Sequence, residues 1–204
     1  MAAATSLTPH DTTTLSLLFD PESSPSQATA PVSTSLPADP HYPAHLLPSL
    51  RALELSAIRL TQTSPADALP LLDELLQEYP SYASGYNNRA QLRRLLSHPV
   101  SDVVADLEKS ISLASPSGSL QEISEPQAKV LQLAWTQLGI VLLSQSRGEG
   151  EEEQQPDEGA VNAFKQAAWF GGDLARAMCV KLNPVARLCG SIVKEAMRKE
   201  MVVG

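Results

Sequence analysis

The side chains able to do acid–base, nucleophilic or metal chemistry are few in this sequence and poorly spaced for it. Its histidines are His10, His41, His45 and His98, and its cysteines are Cys179 and Cys189. Metal ligands must converge, and their usual signatures are Cys-x-x-Cys pairs or histidines one helical turn apart. Neither occurs. A cysteine nucleophile needs a base such as imidazole within reach to take its proton, and no histidine lies near either cysteine in sequence. A Gly-rich phosphate loop, a serine-centred elbow and a His-Glu-x-x-His pair are also missing. The sequence therefore reads as a non-enzyme with no metal and no cofactor. The two thiols are expected to be partly buried in a reducing compartment.

What remains is recognition chemistry. Asn87, Asn88, Gln91 and Arg94 recur at helical spacing, which would turn amide and guanidinium groups largely to one side. Such groups suit peptide backbones, so these four are the candidate partner-binding residues. A second set, Arg187, Lys194, Arg198 and Lys199, lies near the end of the chain. Cations at a helix C-terminus are favoured by its dipole, so this set reads as a solvated face rather than a docking patch.

Charge narrows the partners. The formal net charge is -8 and the pI about 5.0, which repels phosphate backbones and argues against nucleic acid. No stretch approaches the ~18 apolar residues of a membrane span. The first Lys or Arg is Arg51, so a basic secretory or mitochondrial leader is not expected. A cytoplasmic location, with the nucleus also open, is the expectation.

The elements that would position these residues are helices. The chain is 43% hydrophobic but only 4% aromatic, and strands favour aromatic and β-branched side chains. Residues 1–45 are rich in Ser, Thr, Pro and Ala and read as a mostly disordered arm. One island, residues 11–19, could form a short helix with Leu15, Leu18 and Phe19 on one face; it must dock on something to persist. Helical periodicity then predicts helices over 46–61, 65–78, 81–97, 101–114, 126–146 and 160–170, with breaks at prolines and Gly171-Gly172. Two more helices should flank Asn183-Pro184, the last running from Val185 to about Met201. The acidic stretch 148–159 repels itself and reads as a solvated loop.

Helices in pairs invite a search for repeats. Trp135-x-x-Leu138-Gly139-x-x-Leu142, followed after the acidic insertion by Ala160-x-x-x-Phe164, matches the tetratricopeptide pattern with Leu in place of Tyr. Large side chains of one helix would enter the hole that Gly139 leaves, and Ala160 would let the axes approach. Tyr86 and Ala90 repeat the pattern loosely, as do Ala57, Ala68 and Leu72. The expected architecture is an all-α tetratricopeptide-repeat superhelix of three helix pairs, at about 46–80, 81–115 and 126–172. C-terminal capping helices at 173–204 and the disordered N-terminal arm complete it.

The strings Tyr86-Asn-Asn-Arg-Ala-Gln-x-Arg93-Arg94-Leu95, Asp106-Leu-Glu-Lys109 and Leu182-Asn-Pro-x-Ala186-x-Leu188-Cys189 resemble the tetratricopeptide repeat protein 36 family. Leu18-Phe19-Asp20-Pro21 is similar to that family's short leading motif. The loop after Ala114 and the acidic stretch after Arg147 look like insertions. The resemblance implies an adaptor or co-chaperone that binds the seventy-kilodalton heat-shock chaperone. It also implies control of tyrosine catabolism by protecting the dioxygenase that acts on 4-hydroxyphenylpyruvate. The expected partner is thus a protein client or chaperone, and the adaptor itself a monomer; a permanent subunit of a larger assembly is the alternative. Chaperone-binding domains of this class often clamp a C-terminal carboxylate with Lys, Asn and Arg. At the matching places stand Glu54, Ile58, Asn88, Leu133 and Gln137, of which only Asn88 fits. A chaperone is therefore expected to bind in another mode.

Overall fold

The structure, a computed structural model, describes residues 29–116, 122–146 and 157–183. Among these the chain folds into α1 (Leu47–Thr61), α2 (Pro65–Glu78), α3 (Ala83–Leu95), α4 (Val100–Ala114), α5 (Glu125–Ser146), α6 (Glu158–Trp169) and α7 (Asp173–Leu182). Prolines punctuate the array. Pro65 opens α2 and Pro48 lies in the first turn of α1, where a missing N–H costs nothing. Pro99 sits at the N-cap of α4. The second predicted helix has the boundaries expected; α3 starts at Ala83 rather than Ser81 and stops at Leu95. The expected helix from Val185 to Met201, with Arg187, Lys194, Arg198, Lys199 and Cys189, lies outside the described residues. So do the 11–19 island and most of the acidic stretch.

Each helix packs on the next, and the first helices of successive pairs also touch, α1 on α3 and α3 on α5. These three form an inner row, with α2, α4 and α6 behind them. The amphipathic stripes explain the order. On α4 the buried residues are Val103, Asp106, Leu107, Ser110 and Ala114, a single face at helical spacing. Ala57, Ala68, Ala90, Ala134 and Ala160 are all buried; without long side chains they let neighbouring axes come close. Phe164, fully buried on α6, packs on Gly139 of α5: a Cβ built at Gly139 would stand 3.0 Å from the Phe164 ring. The tetratricopeptide pattern thus marks a real knob and hole.

The α3–α4 turn carries a small strain. Ser97 has φ 57, a left-handed conformation that costs L-residues other than glycine roughly 1–2 kcal/mol. The turn holds because His98 N donates to Arg93 O at 2.9 Å, the closing bond of a Schellman-type cap. We expect Ser97→Gly to raise stability by about 1 kcal/mol, measurable as a higher urea midpoint. An unchanged or lower midpoint would show that the serine is not strained there.

The structure departs from the sequence reading over residues 29–45, which are not a disordered arm but a strap packed along the array. Ala30 N donates to Trp169 O at 2.8 Å, Ser33 N to Ile123 O at 2.9 Å and Ile123 N to Pro31 O at 3.1 Å. The last two accompany a parallel bridge between Val32 and Ile123. His41 Nε2 donates to Leu113 O at 3.0 Å, and Tyr42 accepts Ser81 N at 3.0 Å. Tyr42 also packs edge-on against Tyr79 and Tyr82, with ring centroids 5.8 and 6.4 Å apart. The strap runs from the end of α6 back to the start of α1. Its composition is that of a disordered chain, but backbone groups at the edge of the array supply partners that composition cannot reveal.

Candidate functional site

The inner row is held by polar contacts between its helices. Glu54 of α1 is buried, and its carboxylate accepts from Tyr82 Oη at 2.8 Å, from Ser84 Oγ and from Asn88 Nδ2. Burial, reinforced by that carboxylate, holds the Tyr82 phenol well above its ordinary pKa, so it remains a donor. On the other flank of α3, Asn87 is buried and accepts from Gln137 Nε2 of α5 at 2.8 Å. The two asparagines therefore stitch α3 to its neighbours on either side.

A second set of contacts joins α3 to the outer row. Arg89 grips Asp106 with two parallel bonds, Nε to Oδ2 at 2.9 Å and Nη2 to Oδ1 at 2.6 Å, and reaches Asp73 at 2.8 Å. Arg93 Nη1 also reaches Asp106 Oδ2 at 2.8 Å. The Arg89 guanidinium lies 5.2 Å from the centre of the Tyr86 ring, a cation–π distance. Arg93 and Asp106 stand in two of the family-like strings, but nothing within either string pairs them. An Arg-x-x-x-Arg spacing facing a lone acid in the next helix is the signal that could have found this.

Between α1 and α3 lies a groove of about 590 Å³. Its walls include Ile58 of α1 and Asn88, Gln91, Arg94 and Leu95 of α3. Three of the four candidate residues thus meet at one place. Asn87 does not; it faces α5, because α3 has a partner helix on both flanks and the two adjacent asparagines turn to opposite ones. Asn88 lines the groove, but its amide donates to Glu54. Gln91 and Arg94 are exposed, and Ile58 and Leu95 are 38% and 60% exposed. Of the clamp positions, Glu54 is already satisfied within the fold, and Leu133 is an exposed leucine without a donor to offer.

No His/Cys/Asp/Glu cluster able to hold a metal occurs among the described residues, and none of their helices is long and apolar enough to cross a membrane. Cys179 is half-buried, which pushes its thiol pKa up against a weaker opposing pull from Lys165; a raised pKa makes a poorer nucleophile at neutral pH.

Paired helices with an inner row, small residues at the crossings and a Gly–Phe knob and hole define a tetratricopeptide-repeat protein. Comparison with known proteins makes this specific. The chain is 34% identical to the L-tyrosine degradation gene cluster protein hmgX of Aspergillus fumigatus, over 96% of this chain and 94% of that protein. It is 34% identical to tetratricopeptide repeat protein 36 of Danio rerio, over 79% of this chain and 76% of that one, and 31% identical to the Bos taurus protein, over 76% and 73%. The chain belongs to the tetratricopeptide repeat protein 36 family. No family model matches it, and no solved structure does.

Proposed function

We propose that this chain is a monomeric adaptor in tyrosine breakdown that holds a client enzyme through the groove between α1 and α3. The observation that carries this is the groove itself. It offers exposed Gln91 and Arg94 beside exposed Ile58 and Leu95, a mixture of polar donors and apolar surface suited to a peptide segment. The route comes from the relative in Aspergillus fumigatus whose name places it in an L-tyrosine degradation gene cluster. The client that fits the family resemblance is the dioxygenase acting on 4-hydroxyphenylpyruvate, and the adaptor is placed with it in the cytoplasm. A seventy-kilodalton chaperone, if it joins the complex, binds outside a carboxylate clamp, because Ile58 and Leu133 stand where cations would be needed.

The test is a titration of the purified dioxygenase into the labelled full-length chain, with Gln91→Ala/Arg94→Glu as the comparison. Removing a hydrogen-bonding side chain and reversing a charge at a contact is expected to weaken binding at least tenfold. Equal affinity for both chains would place the contact elsewhere. No binding by the wild-type chain would remove this client from the reading.

A further inference from the structure

The inner row is basic in a chain that is otherwise acidic. α1, α3 and α5 carry Arg51, Arg59, Arg89, Arg93, Arg94 and Lys129 against Glu54 and Glu125. By contrast α2 alone carries Asp67, Asp73, Glu74 and Glu78 with no base. Arg89 and Arg93 are taken up by Asp106 and Asp73, and Glu54 is buried under its own donors. Arg94 makes no ion pair among the described residues. It stands in the groove beside Ile58 and Leu95, and no carboxylate lines that groove. An uncompensated cation next to exposed apolar side chains fits an occupant that is both acidic and apolar.

The chain itself carries such a segment. Residues 11–22 hold Leu15, Leu17, Leu18 and Phe19 together with Asp11, Asp20 and Glu22, and no Lys or Arg precedes Arg51. The strap starts at the other end of the array from the groove, and the chain before it must run back along the helices. Ala30 is fixed to Trp169 at the end of α6. From that anchor α6 packs on α5 and α5 on α3, so the groove lies two to three helix spacings away, about 20–30 Å at roughly 8–10 Å each. The ten steps from Phe19 to Thr29 span up to about 35 Å, so a nearly extended connection reaches it. Tethering also raises the effective concentration of a segment to about the millimolar range, so modest contacts are enough to fill the site.

We infer that residues 11–22 occupy the α1–α3 groove of the free chain, with Leu15, Leu18 and Phe19 on Ile58 and Leu95, and Asp20 and Glu22 facing Arg94. A client using the same groove must displace this segment. The inference rests on the groove's charge and shape and stands whichever client binds.

The experiment uses the full-length chain with p-benzoylphenylalanine in place of Phe19, irradiated at low micromolar concentration, with the cross-links mapped by mass spectrometry. The expected product is a cross-linked monomer joining position 19 to residues 55–62 or 91–95. Arg94→Glu should lower its yield at least fivefold, and adding Asp20→Lys and Glu22→Lys should restore it. Arg94→Gln, a milder change at an exposed site, should give an intermediate loss and guards against a misfolded charge-reversal variant. Cross-links to other helices, no cross-link at all, or yields indifferent to Arg94 would overturn the proposal. A cross-linked dimer that grows with protein concentration would overturn it too, since the occupant would then be a second copy.

Discussion

Asp106→Ala is expected to destabilise the fold by about 3–5 kcal/mol, the usual result of removing one partner from a buried ion pair. The side chain of Asp106 is only 5% exposed, and those of Arg89 and Arg93 are 16% and 21% exposed. Deleting the carboxylate leaves two guanidinium groups facing each other with little solvent between them. Arg89 would keep Asp73, which is 48% exposed, and that contact is too screened to compensate. The loss should appear as a fall in the urea midpoint at unchanged slope. Its origin can be separated from lost packing by a cycle with Arg89→Ala. If the charges act as a unit, the double variant should be less destabilised than the two single changes added together. A loss below about 1 kcal/mol for Asp106→Ala would mean that α3 and α4 are held by apolar contacts alone, in contrast to the range expected for such pairs.

Phe164→Ala should be of comparable size, about 3–5 kcal/mol, because a fully buried ring leaves both its transfer energy and a cavity behind. Phe164 joins Leu143, Ala160, Ala167, Ala175 and Leu182 in the core between α5, α6 and α7, and its ring fills the space over Gly139. The converse change, Gly139→Leu, should cost about 1–3 kcal/mol by overpacking the same site. Combining the two is informative, since the new leucine would enter the space the ring vacates. The double variant is expected to be more stable than the sum of the single changes implies, by at least 0.5 kcal/mol. Strict additivity in thermal unfolding would show that Gly139 and Phe164 are not a knob and its hole.

These two sites also show how much was legible beforehand. The Gly139–Phe164 contact follows from a sequence pattern, because helix crossing geometry fixes which positions meet and one of them must be small. The Arg89–Asp106 pair was visible only as separate residues, since no periodicity within one helix says which charge of the next helix stands opposite. The groove lies between these cases. Gln91 and Arg94 are exposed at the groove, whereas Asn87 is buried against Gln137 and Asn88 is engaged by Glu54.

Periodicity, proline and glycine positions and the small-residue spacing determined the helices, their pairing and the class of repeat. Those signals are local: burial of one face of a helix stamps its period on the sequence whatever it packs against. Which flank each asparagine serves, which charges meet between helices, and the folding of residues 29–45 along the array were decided by tertiary structure. Each depends on groups supplied by a distant part of the chain. The strap makes the point most directly, because its own composition favours disorder and its order comes from Trp169, Ile123, Leu113 and Ser81, more than thirty residues away.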